Sequence, residues 1–188
     1  MEYNPDVFRE QFPIVKRFVY HLIYYRTLHT AYKENELKSE FWVHTIDAHL
    51  LQAIMNWSMI FGSDGHNPTH WKRLSSTQSD ELEQSFREGL PNHIGISWEE
   101  WAGYWKEITD FRSQYIAHRE LYFNNPVPHL DIALNVAYYY DNWIRQVISP
   151  DLFPEPSLKE SAKTLNTTVV QLVDKLIKFT KESQQDAE

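Results

Sequence analysis

Cysteine is absent from the 188 residues, which excludes disulfides, thiolate-bound metals and cysteine nucleophiles. Glycine is scarce, with five residues, and a turn-rich β fold needs more of it for tight hairpins. An unbroken apolar run is missing too. The longest candidate, residues 41–61, is interrupted by His44, Asp47, His49, Gln52 and Asn56, so it reads as a buried helix and not a membrane span. No basic-plus-apolar leader opens the chain, whose start, Met1 to Asp6, is polar. A cytoplasmic protein that does not enter a membrane is expected. Net positive charge is also lacking: the formal charge is −8. Extended tracking along a nucleic-acid backbone needs clustered cations, whereas a small site holding a few nucleotides does not. No glycine-rich phosphate loop, nucleophile elbow or dinucleotide fingerprint occurs, and there is no internal repeat.

What the chain does have is apolar and aromatic mass. Hydrophobic residues make up 42% and aromatics 15%, including seven Trp and eleven Tyr, enough for a dense core. An all-α bundle of five to six helices is predicted, as one domain over 1–188 with its core at about 5–150. The first helix should span Pro5 to Tyr32, with Pro13 as a kink or break. The second should run from Glu40 to Phe61, capped by Ser39 and followed by Gly62. Residues 63–68 have loop chemistry. A shorter helix is expected from Ser79 to Glu88, ended by Gly89-Leu90-Pro91. Ser97-Trp98-Glu99-Glu100 is a capping box and opens a helix reaching about His118. A fifth helix should cover His129 to Ile148. Ser157-Leu158-Lys159-Glu160, a second capping box, starts the last, at about 157–183. There Leu158, Ala162, Leu165, Val169, Leu172, Leu176 and Phe179 form a stripe that either packs on the bundle or makes an interface.

The fourth helix holds the residues with chemistry. Trp98, Trp101, Trp105 and Ile108 are spaced three, four and three, and the same rhythm lands on Arg112, Tyr115 and Arg119. Two cations thus fall on a predicted apolar stripe, where charge is costly unless paired. His118 falls at its edge, one turn after Gln114, and small Ala117 lets a backbone or ligand come close. Two readings are open. The arginines pair with carboxylates or snorkel to water, or they and His118 surround an anion. An arginine fork fits phosphate oxygens, and histidine is a general acid or base. Arg112 and His118 lie about 120° apart on an ideal helix, so they can meet a ligand only from its two sides or through a second subunit.

Arg112-Ser113-Gln114-Tyr115-Ile116-Ala117-His118 resembles the Arg-x(4–6)-His motif of the HEPN superfamily. Phe111 to Arg119 is similar to its abortive-infection and toxin-type members, as are the upstream segments 61–64 and 69–71. The resemblance covers about residues 40–150. It implies a helical bundle that dimerises with the motif at the interface and acts, in active members, as a metal-independent ribonuclease. Carried over, Arg112 holds the scissile phosphate, and His118 takes the 2′-hydroxyl proton or protonates the leaving 5′-oxygen. Ser113, Gln114, Tyr115 and Arg119 would bind around them. Ser113 departs from the Asn, Asp or His that often follows the arginine. No cofactor or metal is implied. RNA is the expected substrate, with a second copy and a cognate antitoxin as partners. Members without activity serve as dimerisation or interaction modules, and that is the alternative function.

Nine histidines raise a third reading, a metal-dependent helical-bundle enzyme. His44 and Asp47 share a helix face, but a catalytic zinc needs three protein ligands. The third would have to come from His21, His29, His66, His70 or His129. Thr45, His49, Gln52 and Asn56 read as a solvent-facing strip. His66 and His70 read as structural loop residues. Tyr138, Tyr139, Tyr140 and Trp143 are spread around the fifth helix, in a core or at an interface.

Overall fold

The computed structural model describes residues 2–118, 120–149, 151 and 154–185. Six α-helices carry the fold: α1 (Pro5–Glu34), α2 (Glu40–Phe61), α3 (Ser79–Ile94), α4 (Trp98–Phe111), α5 (Asp131–Val147) and α6 (Leu158–Gln185). A 3₁₀ turn, Trp71–Leu74, precedes α3, and a π-helical turn, Arg112–Ala117, follows α4. The described residues contain no strand, and none of their helices is long and apolar enough to cross a membrane. The all-α bundle expected from the sequence is what forms.

The capping signals operate as expected. Pro5 opens α1, where Asn4, a cap not anticipated from the sequence, accepts hydrogen bonds from the Asp6 and Val7 amides. Ser39 caps α2, and Ser97 and Glu100 close a reciprocal capping box on α4. Two helix breaks expected at prolines do not occur. Of the kink or break expected at Pro13, the break is absent, since α1 continues through it. Likewise, α3 passes through Gly89 and Pro91 to stop at Gly95, which takes the left-handed conformation at φ 74°. Burial explains the extension: Leu82, Phe86 and Leu90 form one core-facing row, and Leu90 lies beyond the predicted end. Gly89 does not terminate the helix. A Cβ there would collide with the Tyr139 hydroxyl, which donates to the Phe86 carbonyl at 2.8 Å.

α1 packs along α2, α6 lies on α1, and α3 on α5. The main core gathers Phe18, Leu22, Ile54, Trp57, Ile108, Tyr140 and Ile144. A smaller one joins Leu28, Leu37, Trp42 and Ile46 to Val169 and Val173 of α6. α6 therefore packs on the bundle, but only the first part of its predicted stripe does so. Leu158, Ala162, Val169 and Val173 are buried, whereas Leu172, Leu176 and Phe179 are exposed. A straight α-helix drifts about 20° per heptad against a 3.5-residue repeat, so Val173 takes the inward place that the repeat gave to Leu172. On α5, Tyr139, Tyr140 and Trp143 are buried; these aromatics are core.

A polar chain crosses the main core. The Tyr140 hydroxyl donates to Gln11 Oε1 at 2.9 Å, and Gln11 Nε2 donates to the His70 carbonyl at 2.8 Å. Gln11 is fully buried, so both ends of its amide are satisfied inside.

Candidate functional site

α4 buries Tyr104, Ile108 and Phe111. The inward line is therefore offset from the predicted tryptophan stripe, and Trp98 is 45% exposed. This moves Arg112 off the centre of the apolar arc to its flank, where it is half-buried. It starts the π turn, in which hydrogen bonds run from i to i+5. The His118 amide donates to the Ser113 carbonyl, five residues back, at 2.9 Å, and the Glu120 amide closes a wider turn onto the Gln114 carbonyl, six residues back, at 2.9 Å. The 100° arithmetic stops applying at this turn. Such turns recur at functional positions.

Arg112 Nε is buried with no hydrogen-bond partner among the described residues. Arg112 enters none of the ion pairs those residues make. The salt-bridged reading of Arg112 therefore does not hold among them. Two further orphan buried atoms, Trp57 Nε1 and Ser58 Oγ, lie in the last turns of α2, the helix against which the π turn packs. A buried donor without a partner costs about 1–3 kcal/mol.

The other predicted residues spread around this turn. Ser113 and Gln114 are half-buried. Tyr115 stacks on Phe111 at 4.8 Å between centroids and meets Phe123 at 5.4 Å, so its ring belongs to an aromatic group. His118 leaves the helix in extended backbone, φ −132° and ψ 99°, and is exposed. Arg119 lies outside the described residues. Just downstream, Leu121 and Tyr122 are 86% and 92% exposed, and Tyr122 has φ 66°, a conformation unfavourable for a bulky side chain.

The histidines are distributed otherwise than expected on α2. Thr45, His49, Gln52 and Asn56 do not form a solvent strip, because Asn56 is buried and His49 faces α1. His49 Nδ1 lies 2.8 Å from His21 Nδ1, and Tyr24 flanks the His49 ring at 4.9 Å. Burial lowers the pKa of both histidines, with Arg17 adding to the effect on His21 and His21 to that on His49. Among the described residues no group of three or more His, Asp or Glu side chains is close enough to hold a metal ion. His70 is structural: its Nε2 lies 3.1 Å from the Gly62 carbonyl, and its Nδ1 accepts from the Lys72 amide at 3.3 Å. Burial pushes its pKa down to about 4, so the ring is neutral, and Nε2 carries the proton it donates.

One feature was not anticipated from the sequence. A cleft of about 640 Å³ opens between the loop after α2, α3 and the first half of α4. Trp98, Trp101 and Trp105, read as a core stripe, form one side of it, and Trp71 and Phe86 belong to the other. Asp64, Lys72 and Arg87 line it as well, with Lys72 paired to Asp64, and no spacing in the sequence announces the cleft. Comparison of the chain with protein-family models, with curated proteins and with solved structures finds no significant match.

Proposed function

We propose that the protein is a HEPN-like domain of toxin or phage-defence type that cleaves RNA without a metal, using Arg112 and His118. The observation that carries this reading is the Arg112 guanidinium, half-buried at a π turn with a buried donor that no described residue satisfies. An anion supplies what is missing. Phosphate does so with charge-assisted hydrogen bonds, roughly twice as strong as neutral ones.

In the proposed reaction the RNA 2′-oxygen attacks the adjacent phosphorus and the bond from phosphorus to the 5′-oxygen breaks. Arg112 binds the non-bridging oxygens as negative charge builds on them. His118, exposed at the end of the turn, removes the 2′-hydroxyl proton or delivers one to the departing 5′-oxygen. The products are a 2′,3′-cyclic phosphate and a free 5′-hydroxyl. Because one histidine serves one end of this transfer, a second copy across a two-fold axis completes the acid–base pair. Ser113, Gln114 and Arg119 would position the RNA backbone.

The test is incubation of the purified chain with RNA in EDTA and analysis of the ends. Cyclic-phosphate ends that vanish in both Arg112→Ala and His118→Ala are the expected outcome. Cleavage that survives both changes would overturn the assignment. A second reading, a catalytically silent HEPN-like dimerisation module, is favoured by the exposed Leu121 and Tyr122 beside the motif. It predicts self-association with no cleavage in any of the three proteins.

A further inference from the structure

Where α1 packs along α2, two histidines meet. His21 Nδ1 lies 2.8 Å from His49 Nδ1, a hydrogen-bond distance between two ring nitrogens of the same kind. The rings are tilted by 41°, with centroids 5.1 Å apart. Tyr24 lies against both, edge-on to His21 at 6.2 Å and tilted on His49 at 4.9 Å. Both imidazoles are half-buried. Among the described residues neither pairs with a carboxylate, and each ring has the other as its hydrogen-bond partner. Two nitrogens are one protein ligand short of a catalytic zinc site. The chemistry this contact can perform is proton chemistry.

A contact between two Nδ1 atoms limits how many protons the pair can hold. A neutral imidazole carries a proton on one nitrogen and a lone pair on the other. With both rings neutral, one Nδ1–H donates to the bare Nδ1 of its neighbour, so the rings hold opposite tautomers. A first added proton settles on Nε2 of the donor ring and leaves a charge-assisted hydrogen bond in place. The second can go only to the accepting Nδ1. Two N–H donors and two positive charges then face each other, and the contact must part. Arg17, one turn before His21 on α1, is a further positive charge that acts on His21. Asp47, the carboxylate nearest to His49 along α2, acts on Tyr25 and not on the pair. Among the described residues no charged group outside α1 and α2 acts on either ring. A histidine released from the contact titrates near 6.5. The parted form therefore binds more protons, and parting is favoured as pH falls below that value.

We propose that His21 and His49 form an acid-sensitive clasp between α1 and α2, closed while the pair holds at most one added proton and opened by the second. The inference does not depend on Arg112 or His118. The experiment is imidazole NMR of the full ¹⁵N-labelled chain from pH 8 to pH 5, with amide hydrogen exchange corrected for intrinsic rates. At pH 8 the two rings should show opposite tautomers. Between pH 7 and pH 5 the opening constant of α1 and α2 amides around the pair should rise, relative to α5 amides, roughly 25-fold for each proton taken up. His49→Asn keeps a donor and an acceptor near the Nδ1 position and cannot be charged, so its opening constant should hardly change. His21→Asn is the second variant and should behave in the same way. His70→Gln leaves the clasp intact and should keep the full rise. The inference is overturned by identical tautomers at pH 8, by a second proton bound without any change in exchange, or by an equal rise in the parent and both Asn variants. A rise lost in His70→Gln would also overturn it, by assigning the acid step to the loop after α2.

Discussion

His70 shows how much one side chain can do without touching a substrate. It is 2% exposed, ties the loop after α2 to the 3₁₀ turn through both ring nitrogens, and offers its carbonyl to Gln11. Its native pKa is about 4, while a histidine in an unfolded chain titrates near 6.5. Between those values the unfolded chain binds more protons, so stability rises with pH across the window and is lost as pH falls from 6.5 toward 4. For His70 alone that loss is about 3 kcal/mol. His21 and His49, also lowered, act in the same direction. Urea midpoints at pH 7 and pH 4.5 should therefore fall steeply for the parent. His70→Gln should be less stable at pH 7 yet lose less over the same step. An identical loss in both would assign the acid sensitivity to other groups.

At the scale of elements, the join between α5 and α6 rests on one buried carboxylate. Asp141, 1% exposed, accepts from Arg145 Nε at 3.0 Å and from the Leu158 amide at 2.7 Å. Arg145 in turn donates to the Glu155 and Pro156 carbonyls. Asp141 thus fastens the first amide of α6 and, through Arg145, the segment leading into it. Removing one partner of such a pair leaves the others unsatisfied. Asp141→Ala should cost about 2–3 kcal/mol in chemical denaturation, and Asp141→Asn, which keeps an acceptor for Leu158, should recover part of that. Equal stability of the Ala and parent chains would show that α6 docks through its apolar contacts alone.

Helix starts were legible in the sequence because capping is local. Ser39, Ser97 and Glu100 use partners within three residues. The passage of α3 through Pro91 was not legible, because what outweighs the proline is the burial of Leu90, a tertiary effect. Tyr139 against Gly89 is tertiary as well. The candidate site was half legible. Arg112 stood out as a cation on a predicted apolar stripe; in the fold it lies on the flank of the apolar arc, with its Nε unpartnered among the described residues. Its true neighbours were hidden, since no periodicity signals a change from i+4 to i+5 bonding. The tryptophans on α4 misled for a related reason. Spacings of three and four mark a face, and cannot tell a face against core from a face against a cleft.

At the scale of the whole molecule, exposed apolar surface bears on association. Leu172, Leu176 and Phe179 on α6, and Leu121 and Tyr122 beyond the π turn, are exposed apolar side chains. The proposed reaction needs a second copy at the latter region. Light scattering at micromolar concentration should give twice the chain mass of 22.5 kDa. Leu121→Asp combined with Tyr122→Asp should return the protein to a single chain and remove cleavage. A parent protein that is already monomeric would argue against a composite site. Leu172→Asp combined with Phe179→Asp leaves the motif untouched and serves as the control for association through α6.

The π turn has a consequence for how the motif can vary in length. A turn bonded i to i+5 holds one residue more than an α-helical turn. Removing a single residue between 112 and 117 would return the ladder to i+4 bonding and leave α4 as it is. The extra residue is absorbed inside the wide turn, where each residue rotates by less than 100°, so everything from His118 onward would keep nearly the phase it has. The spacer between the arginine and the histidine therefore has one residue of slack, and the π turn is where that slack is stored.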